Sequence, residues 1–542
     1  MDTPQRPSGP PDEGRRQAPP HQGDAGPAAP STERYSTARI KSSIKAFALG
    51  KAISAPLTFL LIVLLAAVMP RPEYAAYVAG AAALEIGIVL GTCGMDWFIQ
   101  TSLTRINVNG SRRQLRRAIG WLNVFVVVPY LLLAAGGWLF SERISAAMSN
   151  VVTASVIELY ALVLLIEGPT RMLRDQMLSA LLRQRAVQIS QIARTVIVLG
   201  GVLAMMAMSH EIAAVHIASL EIVASIFALV LAARALIGLV LEQRSQPDEA
   251  AGLSTWFNRG SYRLAASAYG SFLLMMLTST ELTTALVARY LGADATAAFG
   301  FVCKLMETSR KYLPMDMFYG VLRPATIGRY EGAGRDFKVL MSDVNRMLDA
   351  NLIVLGAGLA VAIAAGDMIV GLLSNHNVVS PPWLFATLLL LLIGHSVRRG
   401  IELLCYTAGH SGAYLRGAFS CLLIPPMLVT LMPLAGHPHV APLVVCVVDV
   451  IFVAIVVGAL RGDGLPVGLD LARWARLALS MLLAGALGWL AGQYLPAPAA
   501  MAGAIALSTV IFCALVYVLK VVDIQDLNWA RSLTRRGVPD KA

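Results

Sequence analysis

"AAYVAGAAALE" (75–85) and "AAFGFVCKLME" (297–307) decide how this chain is read. In the first, ten residues that suit hydrocarbon end on a carboxylate, Glu85. The second ends on Glu307 and adds Lys304 three residues earlier. A shift of 222 residues, without gaps, lays Ala75, Ala76 and Glu85 on Ala297, Ala298 and Glu307, and Tyr77 on Phe299. Further on, Met95 meets Met317, Thr104 meets Thr326, Gly110 meets Gly332 and Arg113 meets Arg335. Leu115 and Arg116 meet Phe337 and Lys338. Both windows start just after a turn, cross an apolar stretch and end in a basic loop, "NGSRRQLRR" (109–117) or "EGAGRDFKV" (331–339). The repeat and its charges therefore have to be explained together.

The surrounding composition is that of a membrane protein. Of 542 residues, 56% are hydrophobic and 14% charged, with a mean hydropathy of +0.65. A soluble domain carries about 25% charged residues. The apolar residues come in blocks of about 20, the length of a membrane-crossing helix. Fourteen such spans are expected, near 46–69, 74–99, 118–140, 151–170, 187–208, 212–239, 264–287, 295–319, 347–372, 383–407, 415–434, 440–460, 471–492 and 499–520. Continuous blocks without period-two alternation argue against a β-barrel. Residues 1–40, rich in Pro, Gly and charge, cannot bury enough apolar area to fold and lack the pattern of a signal peptide.

Basic residues alternate between loops. Arg105, Arg112, Arg113, Arg116 and Arg117, then Arg171, Arg174, Arg183 and Arg185, fall between spans on one side, followed by Arg244, Arg259, Arg323, Arg329, Arg335 and Lys338. Arg461, Arg473, Arg531, Arg535 and Arg536 continue the series, while the opposite loops hold little beyond Arg71, Arg143 and Arg289. The positive-inside rule then places both termini in the cytoplasm. The same rule accounts for the net charge of +11 without a nucleic-acid partner.

Six spans separate the two copies of the repeat. An even number keeps both copies pointing the same way, as in transporters built from parallel repeats. The expected fold is an all-α polytopic membrane protein with two pseudo-symmetric six-helix lobes plus two C-terminal helices. Its parts are a disordered cytoplasmic tail (1–40), an N-terminal lobe (41–241), a cytoplasmic linker (242–262), a C-terminal lobe (263–461), two extra helices (462–520) and a cytoplasmic tail (521–542).

Ionisable groups at bilayer depth are costly and face a cavity or a partner. Glu85 and Asp96 lie eleven residues apart, on nearly one helix face and about 16 Å apart along the axis. Lys304, Glu307 and Lys311 follow i, i+3, i+7 and share a face. Arg398, Arg399 and Glu402 cluster in span ten, where Glu402 can pair with either arginine. Glu281 and Asp449 are further intramembrane candidates. Glu158, Glu167 and Glu221 read as span-end or structurally paired groups, and Arg194 and Asp349 as side chains that snorkel to the interface. The cations Lys304, Lys311, Arg398 and Arg399 suit a water-filled, net-positive cavity between two bundles that attracts an anion. Pro56, Pro129, Pro314 and the pair Pro425–Pro426 can kink or hinge their helices.

Enzyme motifs are missing. No G-x-x-x-x-G-K-[ST], no G-x-S-x-G and no Cys/His cluster appears, and the outer loops are short. The six cysteines are scattered without metal or redox spacing, and His437 and His439 have no third ligand. A transporter without cofactors is expected, not an enzyme.

The stretch from "SAPLTFLLIVLLAAVMP" through "AAYVAGAAALEIGIVLGTCGMDWFIQ" resembles the first two helices of bacterial oligosaccharide flippases. "LVARYLGADATAAFGFVCKLMET" is similar to their junction of spans seven and eight. The resemblance runs from about residue 43 to 520. It implies a polysaccharide-export member of the multidrug/oligosaccharidyl-lipid/polysaccharide exporter superfamily. The implied cargo is a polyprenyl-diphosphate-linked oligosaccharide, turned across the bacterial inner membrane for exopolysaccharide, capsule or lipopolysaccharide synthesis. A glycan polymerase and co-polymerase of the same pathway are the implied protein partners, beside membrane lipid. On this resemblance Lys304, Lys311, Arg398 and Arg399 meet the anionic head group. Glu85 and Glu307 pair or couple, with Asp96 and Glu402 beside them, and Glu281 stands where the family often has Asp. A cation-coupled multidrug exporter and a peptidoglycan-precursor flippase share the fold and stay open as alternatives.

Overall fold

A computed structural model describes residues 37–95, 112–242, 269–317 and 334–521, with Ile99, Leu103, Ile106, Tyr319, Thr326 and Tyr330 as isolated positions. Asp96, most of the repeat downstream of Met95, residues 1–36, the linker 243–262 and the tail 522–542 lie outside the described residues. Every described element is helical, and twelve helices are long and apolar enough to cross a membrane.

Those twelve become the expected fourteen for two local reasons. The stretch Tyr269–Arg310 counts as a single span of 42 residues, although its helix is interrupted at 277–279, where Ser279 is extended and caps the helix that restarts at Thr280. Its Gly292 has φ 80°, a left-handed conformation that glycine adopts without a Cβ clash. Thr280 and Glu307 then meet across a 2.6 Å hydrogen bond, although 27 helical residues would hold them about 40 Å apart. The chain therefore doubles back at Gly292, giving α7 (269–291) and α8 (293–310). The other addition is Ala154–Arg171, too polar by composition because of Glu158, Glu167 and Arg171, yet buried among other helices through Val156, Tyr160, Val163 and Leu164.

The remaining helices are α1 (Thr37–Val68), α2 (Arg71–Gly91), α3 (Arg112–Leu139), α4 (Ala154–Arg171), α5 (Gln184–Ala207) and α6 (Ala214–Glu242). After α7 and α8 come α9 (Phe337–Leu373), α10 (Leu384–Thr407), α11 (Ser411–Ala435), α12 (Val440–Gly462), α13 (Leu471–Tyr494) and α14 (Ala497–Val518). Two helices begin well before the expected spans, α1 at Thr37 and α9 at Phe337, because helical backbone continues past the hydrocarbon. Pro425 and Pro426 follow a 3-10 turn, Phe419–Leu423, and open the second half of α11. There their missing N–H groups cost nothing. Pro56 and Pro129 sit inside the unbroken helices α1 and α3.

Helix packing repeats between the halves. In the first, α4 packs on α2, α3 and α6, and α5 on α1 and α6. In the second, α10 packs on α9, α12 and the α7–α8 hairpin, and α11 packs on α12 and on that hairpin. The extra pair α13 and α14 packs on itself and on α9. The halves meet chiefly along α2 and α8, where a Cβ on Gly300 would fall 2.0 Å from Val78 Cγ1. Leu139, Leu434 and Val450 point outward from the bundle, which costs nothing when the surroundings are lipid tails.

One end of the seam is tied by hydrogen bonds between the halves. Asn377 Nδ2 donates to Met69 O at 2.6 Å and Ala66 O at 3.0 Å, and Arg71 Nε donates to Asn377 O. Ser149 Oγ donates to Arg289 O at 2.7 Å, and Arg289 Nη1 donates to Ala146 O at 2.9 Å. Toward the other end the halves separate.

Candidate functional site

The separation encloses a cavity of about 850 Å³, lined by residues of both halves. Its walls come from α2 and α10 from mid-helix onward, the last turns of α4 and α8, the middle of α5 and the first half of α7, with Thr58, Leu61 and Ile62 of α1.

The first-half wall is built on α4. Glu167 and Arg171 are spaced i, i+4, so both point to one face and bond at 3.0 Å. Arg171 also donates Nη1 and Nη2 to the two oxygens of Glu85 on α2, each at 2.7 Å. This bidentate fork is the strongest geometry a guanidinium can offer a carboxylate. Beyond Arg171 the helix widens into a π-helix, Met172–Leu178. That extra residue per turn, a feature found at functional sites, lets Arg174 also reach Glu167, at 3.7 Å. Arg194 of α5 lies 3.4 Å from Glu167 and 3.6 Å from Glu221 of α6. Glu167, 1% exposed, thus compensates three guanidiniums at once.

The second-half wall is looser. Lys304 Nζ donates to Glu307 Oε2 at 3.1 Å, and Thr280 Oγ1 donates to Glu307 Oε1. Arg398 is buried, bonds Asp449 at 3.0 Å and donates to Thr278 Oγ1 at 2.8 Å. Arg399 lies 3.7 Å from Glu402 and stacks 4.1 Å above the Tyr319 ring. Arg310, Lys311 and Glu281 line the same wall without an ion pair among the described residues. Tyr269 Oη crosses the seam near the cavity and donates to Leu90 O at 3.0 Å.

Of the expected site residues, the cavity gathers Glu85, Glu281, Glu307, Lys304, Lys311, Arg398, Arg399 and Glu402. Arg398 is not a free cation, because Asp449 already holds it. The expected net-positive lining is close to balanced, with eight cations facing seven carboxylates. A low-dielectric wall tolerates that many charges only when most are paired.

Arg171 and Arg174 require a correction. They read as loop residues because the span was ended at 170, but the helix continues and turns both into the cavity. Arg194 does not snorkel, since Glu167 and Glu221 hold it inside. Asp349 pairs with Arg473 at 2.6 Å. Glu158 accepts from Ser141 Oγ at 2.9 Å and is no part of the cavity. The signal available in sequence was the i, i+4 pair Glu167–Arg171 at the end of an apolar run.

No protein-family model matches the sequence, and no curated protein matches it. Solved structures do resemble it. One is "Lipid II flippase MurJ, inward closed conformation", with a TM-score of 0.63 at 10% identity, over 90% of this chain and 99% of that one. Another is the inward-facing conformation of a multidrug resistance MATE family transporter of the MOP superfamily. Its TM-score is 0.51 at 14% identity, over 77% of this chain and 97% of that one. This polytopic chain therefore has the helical fold shared by those flippase and exporter structures.

Proposed function

We propose that this protein is a flippase for polyprenyl-diphosphate-linked oligosaccharide units in the bacterial inner membrane, with both termini cytoplasmic, serving surface polysaccharide synthesis. The observation that carries this reading is the pair Arg310 and Lys311, free of ion pairs among the described residues on the wall of an 850 Å³ cavity. Free cations in a cleft with low-dielectric walls attract a diphosphate. The paired charges around them keep the wall hydrated enough for sugars, while the polyprenyl tail stays in lipid. A polymerase and co-polymerase of the same pathway would take the product.

The likeness to MurJ supports a second reading, a peptidoglycan-precursor flippase. A drug exporter is less well supported, because cationic drugs need free carboxylates and most of these are held by arginine or lysine. Gene deletion with assay of lipid-linked intermediates in spheroplasts separates the three. Build-up of a polyprenyl-linked oligosaccharide on the cytoplasmic face with loss of surface glycan is the expected result. Trapped peptidoglycan precursor points to the second reading, and drug sensitivity with unchanged lipid pools defeats both.

A further inference from the structure

A second cavity, of about 390 Å³, lies where the start of α9 meets the start of α13. Lys338, Asn345 and Arg346 of α9 line it, with Gly468 and Asp470 of the connecting loop and Arg473 of α13. The 37 residues of α9 make a helix about 55 Å long, against a hydrocarbon core of about 30 Å. Four of its five charged residues, Lys338, Asp343, Arg346 and Asp349, precede Leu352, where the apolar run begins, and the fifth, Asp367, stands in the last two turns. The excess length is therefore at this end, and the cavity stands at headgroup depth.

The charges there divide into spent and unspent. Arg473 donates to Asp349 Oδ2 at 2.6 Å and to Val521 O. Asp470 caps α13 by accepting from Arg473 N at 3.0 Å. Asn345 Nδ2 donates to Gly468 O at 3.0 Å and ties the loop to α9. The Lys338 ammonium and the Arg346 guanidinium have no ion pair or hydrogen bond among the described residues. Leu471, next in sequence to Asp470 of the cavity, is 67% exposed, and Leu479, Leu482 and Leu483 continue an exposed apolar face along α13. Two uncompensated cations above a lipid-facing stripe match a phosphate with acyl chains attached.

We propose that this cavity binds the phosphate of an anionic phospholipid headgroup through Lys338 and Arg346, independently of the transport reading. A ligand that binds only the folded chain raises its melting temperature. The test is thermal unfolding of the full purified chain in mixed micelles containing phosphatidylglycerol, phosphatidylcholine, or detergent alone with millimolar inorganic phosphate. Phosphatidylglycerol is expected to raise Tm by a few degrees, the other two to leave it unchanged. Lys338→Gln with Arg346→Gln should abolish most of the rise, and Lys338→Arg with Arg346→Lys should keep it. An undiminished rise in the Gln pair overturns the site, as does no rise in the natural protein. An equal rise with inorganic phosphate overturns the lipid as its source. Should the Gln pair fail to fold, Lys338→Gln alone, at an exposed position, must reduce the rise, and an unchanged one overturns the site.

Discussion

Glu167 is shared by three arginines and has almost no contact with solvent. Removing its charge strands guanidiniums in a low-dielectric wall, a change that costs about 3–5 kcal/mol in buried pairs. Glu167→Gln is expected to lower the melting temperature of the purified protein more than Glu85→Gln does. A variant that melts with the natural protein would show the network to be solvated. Arg398 and Lys311 make a sharper contrast. Arg398→Ala leaves Asp449 buried and unpaired, so folded protein should be lost. Lys311→Ala breaks no ion pair among the described residues and should leave the melting temperature unchanged. If Lys311 meets the cargo phosphate, cargo affinity falls about tenfold or more, the worth of a hydrogen bond to a charged group. Full flux in Lys311→Ala would remove it from the cargo path.

At the scale of elements, the seam between α2 and α8 has the least slack. Gly300 lets the two backbones approach until Val78 occupies the space of a Cβ. Gly300→Ala should therefore destabilise by about 1–3 kcal/mol, the cost of an overpacked contact. Val78→Ala in the same chain should recover part of it. Melting temperatures of the two single variants and the double variant form the cycle that checks this, and additive losses would place the strain elsewhere. The seam was partly legible in sequence, because the repeated "AA" and the glycine at 300 mark a small-residue face. Its partner helix was not, since small residues pack equally well on any close neighbour. The π-helix of α4 was illegible for a similar reason. Nothing in "MLRDQML" (172–178) distinguishes six-residue from five-residue hydrogen-bonded rings until neighbouring helices fix Arg174 on Glu167.

Across the whole molecule, one end of the seam is latched and the cavity lies toward the other. Asn377 holds the first half through Met69 O and Ala66 O, and Arg71 holds Asn377 in return. Asn377→Ala should loosen that end and expose the seam near Cys303, which is buried on α8. With the other cysteines replaced, labelling of Cys303 by a membrane-impermeant maleimide from the latched side should rise severalfold. Unchanged labelling would show that the α2–α8 contact alone holds that end closed.

Much of this protein follows from sequence alone. Apolar blocks of bilayer length dictated helices, because a backbone in lipid must satisfy its own hydrogen bonds. The 222-residue repeat and the even number of intervening spans gave two like-oriented halves. The isolated charges in those blocks pointed to an interior cavity. Only the tertiary structure decided which charges are spent. Glu85 finds Arg171 from 86 residues away, and Arg398 finds Asp449 from 51. Whether a cation is neutralised or free depends on distances of a few ångströms between helices remote in sequence. Periodicity fixes the face a side chain occupies on its own helix. It carries no information about which helix that face will meet.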